Sequence, residues 1–90
     1  MGARTGVSEL SRCVSIDLEV AKDTKRIHAF AGVRPDSDRS VVFPGGGRTF
    51  NQALADLDDL ADGADFVLGH NLINHDLPHL RAANPGLRLL

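Results

Sequence analysis

Two acidic side chains near the beginning of the chain have the type and spacing that bind a divalent cation. Asp17 and Glu19 are separated by one residue within the alternating segment V-S-I-D-L-E-V. Residues i and i+2 of a strand point to the same side, and neighbouring carboxylates repel each other unless a proton or a cation lies between them. Hard cations such as Mg²⁺ take oxygen ligands from such pairs. The alternative is a solvated strand face without a ligand, although acids are depleted in strands.

A second group of polar residues follows an apolar run farther along the chain. The run F-V-L at residues 66–68 directly precedes G-H-N-L-I-N-H-D-L-P-H-L at residues 69–80. Ligand sites in α/β sheets lie at the carboxyl ends of strands. If this strand lies parallel to the first strand and beside it, Asp76 approaches Asp17. The alternative is a polar loop with an acid at a helix start, where its charge suits the helix dipole.

The first half of the chain predicts three strands. Apolar and polar residues alternate over Cys13–Val20 and again over residues 26–33. This period of two indicates strands with one buried face. A short third strand is predicted at residues 40–43, where a proline and three glycines follow. The short connections favour an antiparallel meander.

The period becomes helical after the glycines. Thr49 followed three residues later by Gln52 is a capping-box signature, and apolar residues then recur at helical spacing as far as Ala61. The continuous apolar run at residues 66–68 predicts a central strand over residues 65–68, covered on both faces. A right-handed helical crossover would place this strand parallel to Cys13–Val20.

The last part of the chain predicts a second helix and the beginning of another strand. Asn74 is the predicted cap of a helix over residues 75–83, with Pro78 in its first turn, where proline costs least. The apolar run L-R-L-L at residues 87–90 predicts a strand. The predicted order is therefore β-β-β-α-β-α, an α/β fold.

Composition limits the class of protein. Ninety residues allow one domain, and 42% hydrophobic with 24% charged residues is typical of a globular chain. The lack of any apolar run near 20 residues, or of an apolar leader in the first ten, indicates no membrane segment. A single cysteine fits a reducing compartment, so we expect a cytoplasmic protein. Residues 1–12 are predicted to be flexible and residues 13–90 to fold.

The two polar segments together resemble the first and second motifs of the DEDD superfamily of 3′-to-5′ exonucleases, which have a DnaQ-like, ribonuclease H-like fold. Asp17 and Glu19 match the D-x-E of the first motif. The second segment is similar to the form found in proofreading domains of family B DNA polymerases, G-[YH]-N-x-x-N-[FY]-D-x-P-x-L. The residues that match it are Gly69, His70, Asn71, Asn74, Asp76, Pro78 and Leu80. The resemblance covers residues 13–90.

This resemblance implies two-metal hydrolysis of phosphodiesters at the end of a DNA strand, with RNA as a second possible substrate. The cofactors would be two Mg²⁺ or Mn²⁺ ions. Asp17 would bridge both ions, Glu19 would hold the ion on the side of the nucleophile, and Asp76 would hold the other. His70, Asn71 and Asn74 match positions near the substrate strand.

Four short segments are also similar to exonuclease-like domains at the front of some bacterial RecQ-type helicases, which implies a longer DNA-processing protein. They are D-L-E-V at 17–20, R-I-H-A at 26–29, A-D-G-A-D-F at 61–66 and P-G-L-R-L-L at 85–90. The superfamily has a fourth acid and a Tyr or His in a third motif, and we expect this chain to end before that motif, ahead of the last strand and helix. The fragment alone should then be inactive, with an apolar edge that favours self-association. His75 also replaces the usual aromatic residue before the second-motif acid.

Three alternatives remain at the level of sequence. One is a non-catalytic module of the same fold that binds nucleic acid or another protein. Another is an unrelated small α/β domain in which the acids are coincidental. The third concerns His75 and His79, whose i, i+4 spacing suits a zinc site on a helix, although no glutamate follows His75 and Pro78 lies between them.

Overall fold

A four-stranded mixed sheet forms the frame of the structure, a computed structural model that describes residues 12–90. The strands are β1 (Cys13–Val20), β2 (Ile27–Arg34), β3 (Arg39–Phe43) and β4 (Phe66–Gly69). Their spatial order is β3-β2-β1-β4. The first three strands pair antiparallel, and β4 pairs parallel to β1. The predicted meander and the parallel crossover strand are therefore confirmed, and the described residues form a small α/β domain.

The alternation along β1 separates a core face from an open face. Val14, Ile16 and Leu18 are buried, whereas the residues between them are exposed. Successive side chains of a strand point to opposite faces, so the apolar set turns toward the helices. The same alternation sends both acids of β1 to the face that no helix within residues 12–90 covers.

Helix α1 (Phe50–Ala61) crosses the core face between β3 and β4. Its predicted capping box is present: the Gln52 backbone N–H donates to Thr49 Oγ1 at 3.1 Å, and the Thr49 N–H donates to Gln52 Oε1 at 2.9 Å. The helix buries Leu54, Leu57 and Leu60 against the sheet. The chain leaves the helix close to the start of β1, where the Asp65 N–H donates to the Arg12 carbonyl at 2.9 Å, so β4 can pair beside β1.

The second helix begins later than predicted. Residues Leu72–Asp76 form a π-helical turn, and α2 covers only Leu77–Ala83. The Asn71 carbonyl accepts from the N–H groups of both His75 (3.0 Å) and Asp76 (3.1 Å), which widens the turn. Pro78, at the start of α2, has no N–H to extend the α-helical ladder backward. Asn74 therefore lies within the wide turn and is not the helix cap.

Strand β4 is an edge strand, whereas the sequence predicted a central strand covered on both faces. In the described part of the chain it pairs only with β1, and Phe66 and Leu68 are 58% and 50% exposed. Val67 is partly buried against the core. A continuous apolar run indicates that both faces can be buried, but other elements decide whether they are.

Residues 88–89 form a turn and no strand is present at residues 87–90, so the strand predicted there is wrong. Leu87 is buried in the core. The backbone N–H groups of Arg88 and Leu89 donate to the carboxylate of Asp58 on α1, at 3.0 and 2.9 Å. A side chain thus takes the bonds that a neighbouring strand would have taken.

Residues 1–11 of the segment predicted to be flexible lie outside the described residues. Arg12 is described, and its carbonyl accepts from the backbone N–H of Asp65 at 2.9 Å. Among residues 12–90, neither helix has the length and apolar composition needed to cross a membrane.

Candidate functional site

Strand β1 places Asp17 and Glu19 side by side on the open face of the sheet, and both are exposed. Their partners across the strand pair are small: Asp17 lies opposite Ala31, and Glu19 lies opposite Ala29. Methyl side chains reach only a short way above the sheet, so space is left beside the two carboxylates.

That space is a shallow groove of about 250 Å³. It lies over β1, β2 and the end of β3, and its lining is acidic on one side and otherwise apolar. The lining residues are Asp17, Glu19, Ala29, Phe30, Ala31, Val42, Phe43 and Pro44. Its volume is somewhat below the roughly 300–1,000 Å³ typical of small-molecule sites. The groove therefore places two carboxylates beside an apolar surface, and its volume suits one small chemical group.

The third predicted acid, Asp76, lies in a different environment. It is only 4% exposed. Its Oδ1 lies 3.0 Å from Nδ1 of His75, whereas its Oδ2 is buried with no hydrogen-bond partner among the described residues. A buried polar atom without a partner costs about 1–3 kcal/mol, and more when it is charged. The free oxygen is therefore an unusual feature that calls for a ligand.

Gly69 connects Asp76 to β1. A Cβ atom on Gly69 would collide with Oδ2 of Asp76, so the carboxylate lies directly against the glycine. Gly69 is the last residue of β4 and pairs with Ile16. Asp17 is the next residue along β1, about 6 Å from Gly69 between Cα atoms given the usual strand spacing and Cα step. The glycine thus brings Asp76 to the end of the strand pair where Asp17 lies.

The three carboxylates lie near the end of the β1–β4 strand pair but on two different faces of the sheet. Paired residues of neighbouring strands share a face, so Asp76 meets Gly69 on the core face of Ile16, whereas Asp17 points to the open face. No group of three His, Cys, Asp or Glu side chains within residues 12–90 lies close enough to hold a metal ion. Convergence of Asp17, Glu19 and Asp76 on a shared metal therefore stays a prediction.

The three residues that match substrate positions of the motif lie around the wide turn. His70 directly follows β4, and the side chains of His70, Asn71 and Asn74 are exposed. The backbone carbonyl of Asn71 holds the turn that positions Asp76, and its side chain makes no capping bond. Their role toward a substrate stays a prediction.

A polar cluster that the sequence interpretation missed lies at the C-terminal end of α1. The Asp58 carboxylate accepts from the backbone of Arg88 and Leu89 and from Nε of Arg88 at 3.2 Å. The same guanidinium pairs with Asp59 at 2.8 Å and with Asp62 at 3.8 Å. The sequence contained a signal for this cluster, because several acids lie at the C-terminal end of the helix, the negative end of its dipole. Acids in that position favour a cation from elsewhere in the chain.

The environment of Asp58 lowers the pKa of its carboxyl group. Burial raises the pKa of this carboxyl, but the bonds from the Arg88 and Leu89 backbone and from the Arg88 side chain outweigh burial, so the pKa is lowered. A groove of about 260 Å³ beside the cluster shares no lining residue with the groove at Asp17. We interpret the cluster as a structural clamp on residues 88–89.

Comparisons of the chain with protein-family models, with curated proteins and with solved structures gave no match. The similarity to DEDD exonucleases therefore rests on the motif residues.

Proposed function

We propose that the chain carries the first part of a DEDD-type 3′-to-5′ exonuclease site on a ribonuclease H-like fold, acting on the end of a DNA strand. The element order and the parallel pairing of β4 with β1 agree with the front of that fold. The D-x-E acids lie on β1, and the second-motif acid follows β4. A longer DNA-processing protein, such as a RecQ-type helicase, is the expected context.

The observation that carries this proposal is the unpartnered Oδ2 of Asp76. A carboxylate with a purely structural role would satisfy both oxygens, because the cost of leaving one bare is large in a buried site. Here His75 holds one oxygen and the other is left bare beside Gly69. An acid held through one oxygen and free at the other is arranged as a metal ligand requires.

The donor set fits Mg²⁺ or Mn²⁺, because both ions prefer carboxylate oxygen. Asp17, Glu19 and Asp76 would hold them. When bound, a pair of such ions supplies an activated water and stabilises the leaving oxygen of a phosphodiester. Without a cation the acids repel a phosphate, so this chain's own carboxylates make binding of the strand end depend on the metal.

The groove beside the acids supplies the surface for the terminal nucleotide. Ala29, Ala31 and Val42 provide an apolar floor on which a sugar or base can lie while its phosphate faces the carboxylates.

The test is a Mn²⁺ titration of the tag-free chain, followed by calorimetry and by the relaxation of water protons. We expect Asp17→Asn and Asp76→Asn each to weaken Mn²⁺ binding by at least about tenfold, as loss of a metal-site residue commonly does. Asp38→Asn is the matched control: it removes the same charge at an exposed turn with φ 53°, a conformation that asparagine adopts readily. Equal Mn²⁺ affinity in all four proteins would contradict the proposal.

A labelled single strand separates the enzyme from the non-catalytic alternative. The resemblance assigns a fourth acid to a third motif that these ninety residues do not contain, so we expect little Mn²⁺-dependent shortening by the chain alone. Binding of the strand without Mn²⁺, unchanged by Asp17→Asn, would favour the non-catalytic module. Turnover that survives Asp17→Asn would reject the site.

A further inference from the structure

We propose that His75 and His79 form a separate binding site for a divalent transition-metal ion. The two residues lie four positions apart, one in the wide turn and one in α2, and both are partly exposed. Their ring centroids are 4.5 Å apart and their planes are inclined by 45°. Imidazole nitrogen is a ligand for ions such as Ni²⁺, Cu²⁺ and Zn²⁺.

The hydrogen bonds of the two rings leave the same nitrogen free on each. His79 Nδ1 lies 2.7 Å from the backbone carbonyl of His75, which can only accept, so Nδ1 carries the proton. His75 Nδ1 lies 3.0 Å from Oδ1 of Asp76 and donates to the carboxylate in the same way. Neutral imidazole has one N–H and one lone pair. Both lone pairs are therefore on Nε2.

This pattern is the one that surrounds histidine ligands in metal sites. A ligating histidine almost always donates its other N–H to a carboxylate or a backbone carbonyl, which fixes the ring and raises its basicity. His75 has the carboxylate partner and His79 has the carbonyl partner. The structure thus orients the two rings before any metal arrives, which lowers the entropic cost of binding.

The separation of the rings is compatible with one shared ion. With a metal–nitrogen distance of about 2.1 Å, each ring centroid lies roughly 3.2 Å from the metal. Two rings that bind one ion then have centroids about 4.5 Å apart at a right angle and about 5.2 Å apart at the tetrahedral angle. The observed 4.5 Å lies within this range, and water would fill the remaining positions.

The site is independent of the proposed exonuclease chemistry. Its donors are nitrogen atoms, and it uses neither Asp17 nor Glu19. It needs only the orienting bond from Asp76, which leaves Oδ2 of that residue untouched. The outcome for one site therefore does not decide the other.

The experiment is a Ni²⁺ titration of the tag-free chain by calorimetry, with paramagnetic broadening of the histidine ring signals in NMR as the local readout. We expect saturable Ni²⁺ binding that selectively broadens the ring signals of His75 and His79. His79→Gln and His75→Gln should each abolish saturable binding at this site. Because His79 is partly exposed, circular dichroism should show that the variants fold.

A matched control makes the result specific. His28→Gln removes an exposed histidine on β2 and should leave Ni²⁺ binding unchanged. Asp76→Asn removes the orienting carboxylate and should weaken binding about 10–100-fold. Unchanged Ni²⁺ affinity in His79→Gln, or broadening of His28 in place of the pair, would overturn the proposal.

Discussion

Replacing Asp58 by asparagine should weaken the attachment of residues 88–89 to α1. Asp58 is buried, and its two oxygens accept from the Arg88 and Leu89 backbone and from the Arg88 side chain. Asparagine keeps the shape and one acceptor oxygen. Its amide N–H₂ faces N–H donors on the other side, so at least one donor loses its partner.

The expected cost is about 2 kcal/mol. Hydrogen bonds to a charged group contribute about 1.5–3 kcal/mol each, and the two backbone bonds are partly buried. The Arg88 side chain is 61% exposed, so its ion pair adds at most about 1 kcal/mol. In a domain of this size a loss of about 2 kcal/mol lowers Tm by roughly 8–16 °C.

The assay is urea unfolding of the chain, with Asp59→Asn as the matched control. Asp59 lies beside Asp58, and its contact with Arg88 is on the exposed surface, so its replacement should cost less than about 0.5 kcal/mol. Hydrogen exchange gives the local readout: the Leu89 amide should lose protection in Asp58→Asn alone. Equal unfolding free energies in the two variants would refute the clamp.

The pH dependence follows from the direction of the pKa shift. The pKa of Asp58 is lowered in the folded state from its ordinary value of 3.8. The stabilisation is therefore complete well above pH 3.8 and is lost as the pH falls through the lower, folded pKa. The difference in stability between the natural chain and Asp58→Asn should shrink below about pH 3.8. A difference that grew on acidification would contradict this assignment.

Three further predictions concern the helix, the strand end and the open face. Thr49→Ala should cost about 1 kcal/mol in urea unfolding because it removes the capping box, and Thr49→Ser should cost less. Gly69→Ala should cost about 1–3 kcal/mol and displace the carboxylate behind it, whereas Gly86→Ala, at an exposed turn, should change the unfolding free energy little. If the open face associates with a second copy, Phe66→Ser combined with Leu68→Ser should abolish concentration-dependent sedimentation.

Local features could be predicted from the sequence because a few neighbouring residues determine them. The alternation in Cys13–Val20 defines a buried and an exposed face in any sheet. The Thr49–Gln52 pair closes its capping box within one turn. The antiparallel meander and the parallel position of β4 follow from short connections and a single crossover helix. The placement of Asp17 and Glu19 on one face follows in the same way.

Tertiary structure alone decided the features that depend on residues distant in sequence. Arg88 lies 30 residues from Asp58, and no local pattern indicates that this carboxylate takes the backbone bonds that a strand at residues 87–90 would have used. The exposure of Phe66 depends on which elements cover β4, which its own apolar sequence cannot specify. Oδ2 of Asp76 lacks a hydrogen-bond partner because the wide turn places it directly against Gly69. Spacing can indicate which acids share a motif, but the packing of the turn on the sheet determines which oxygen atom lacks a partner.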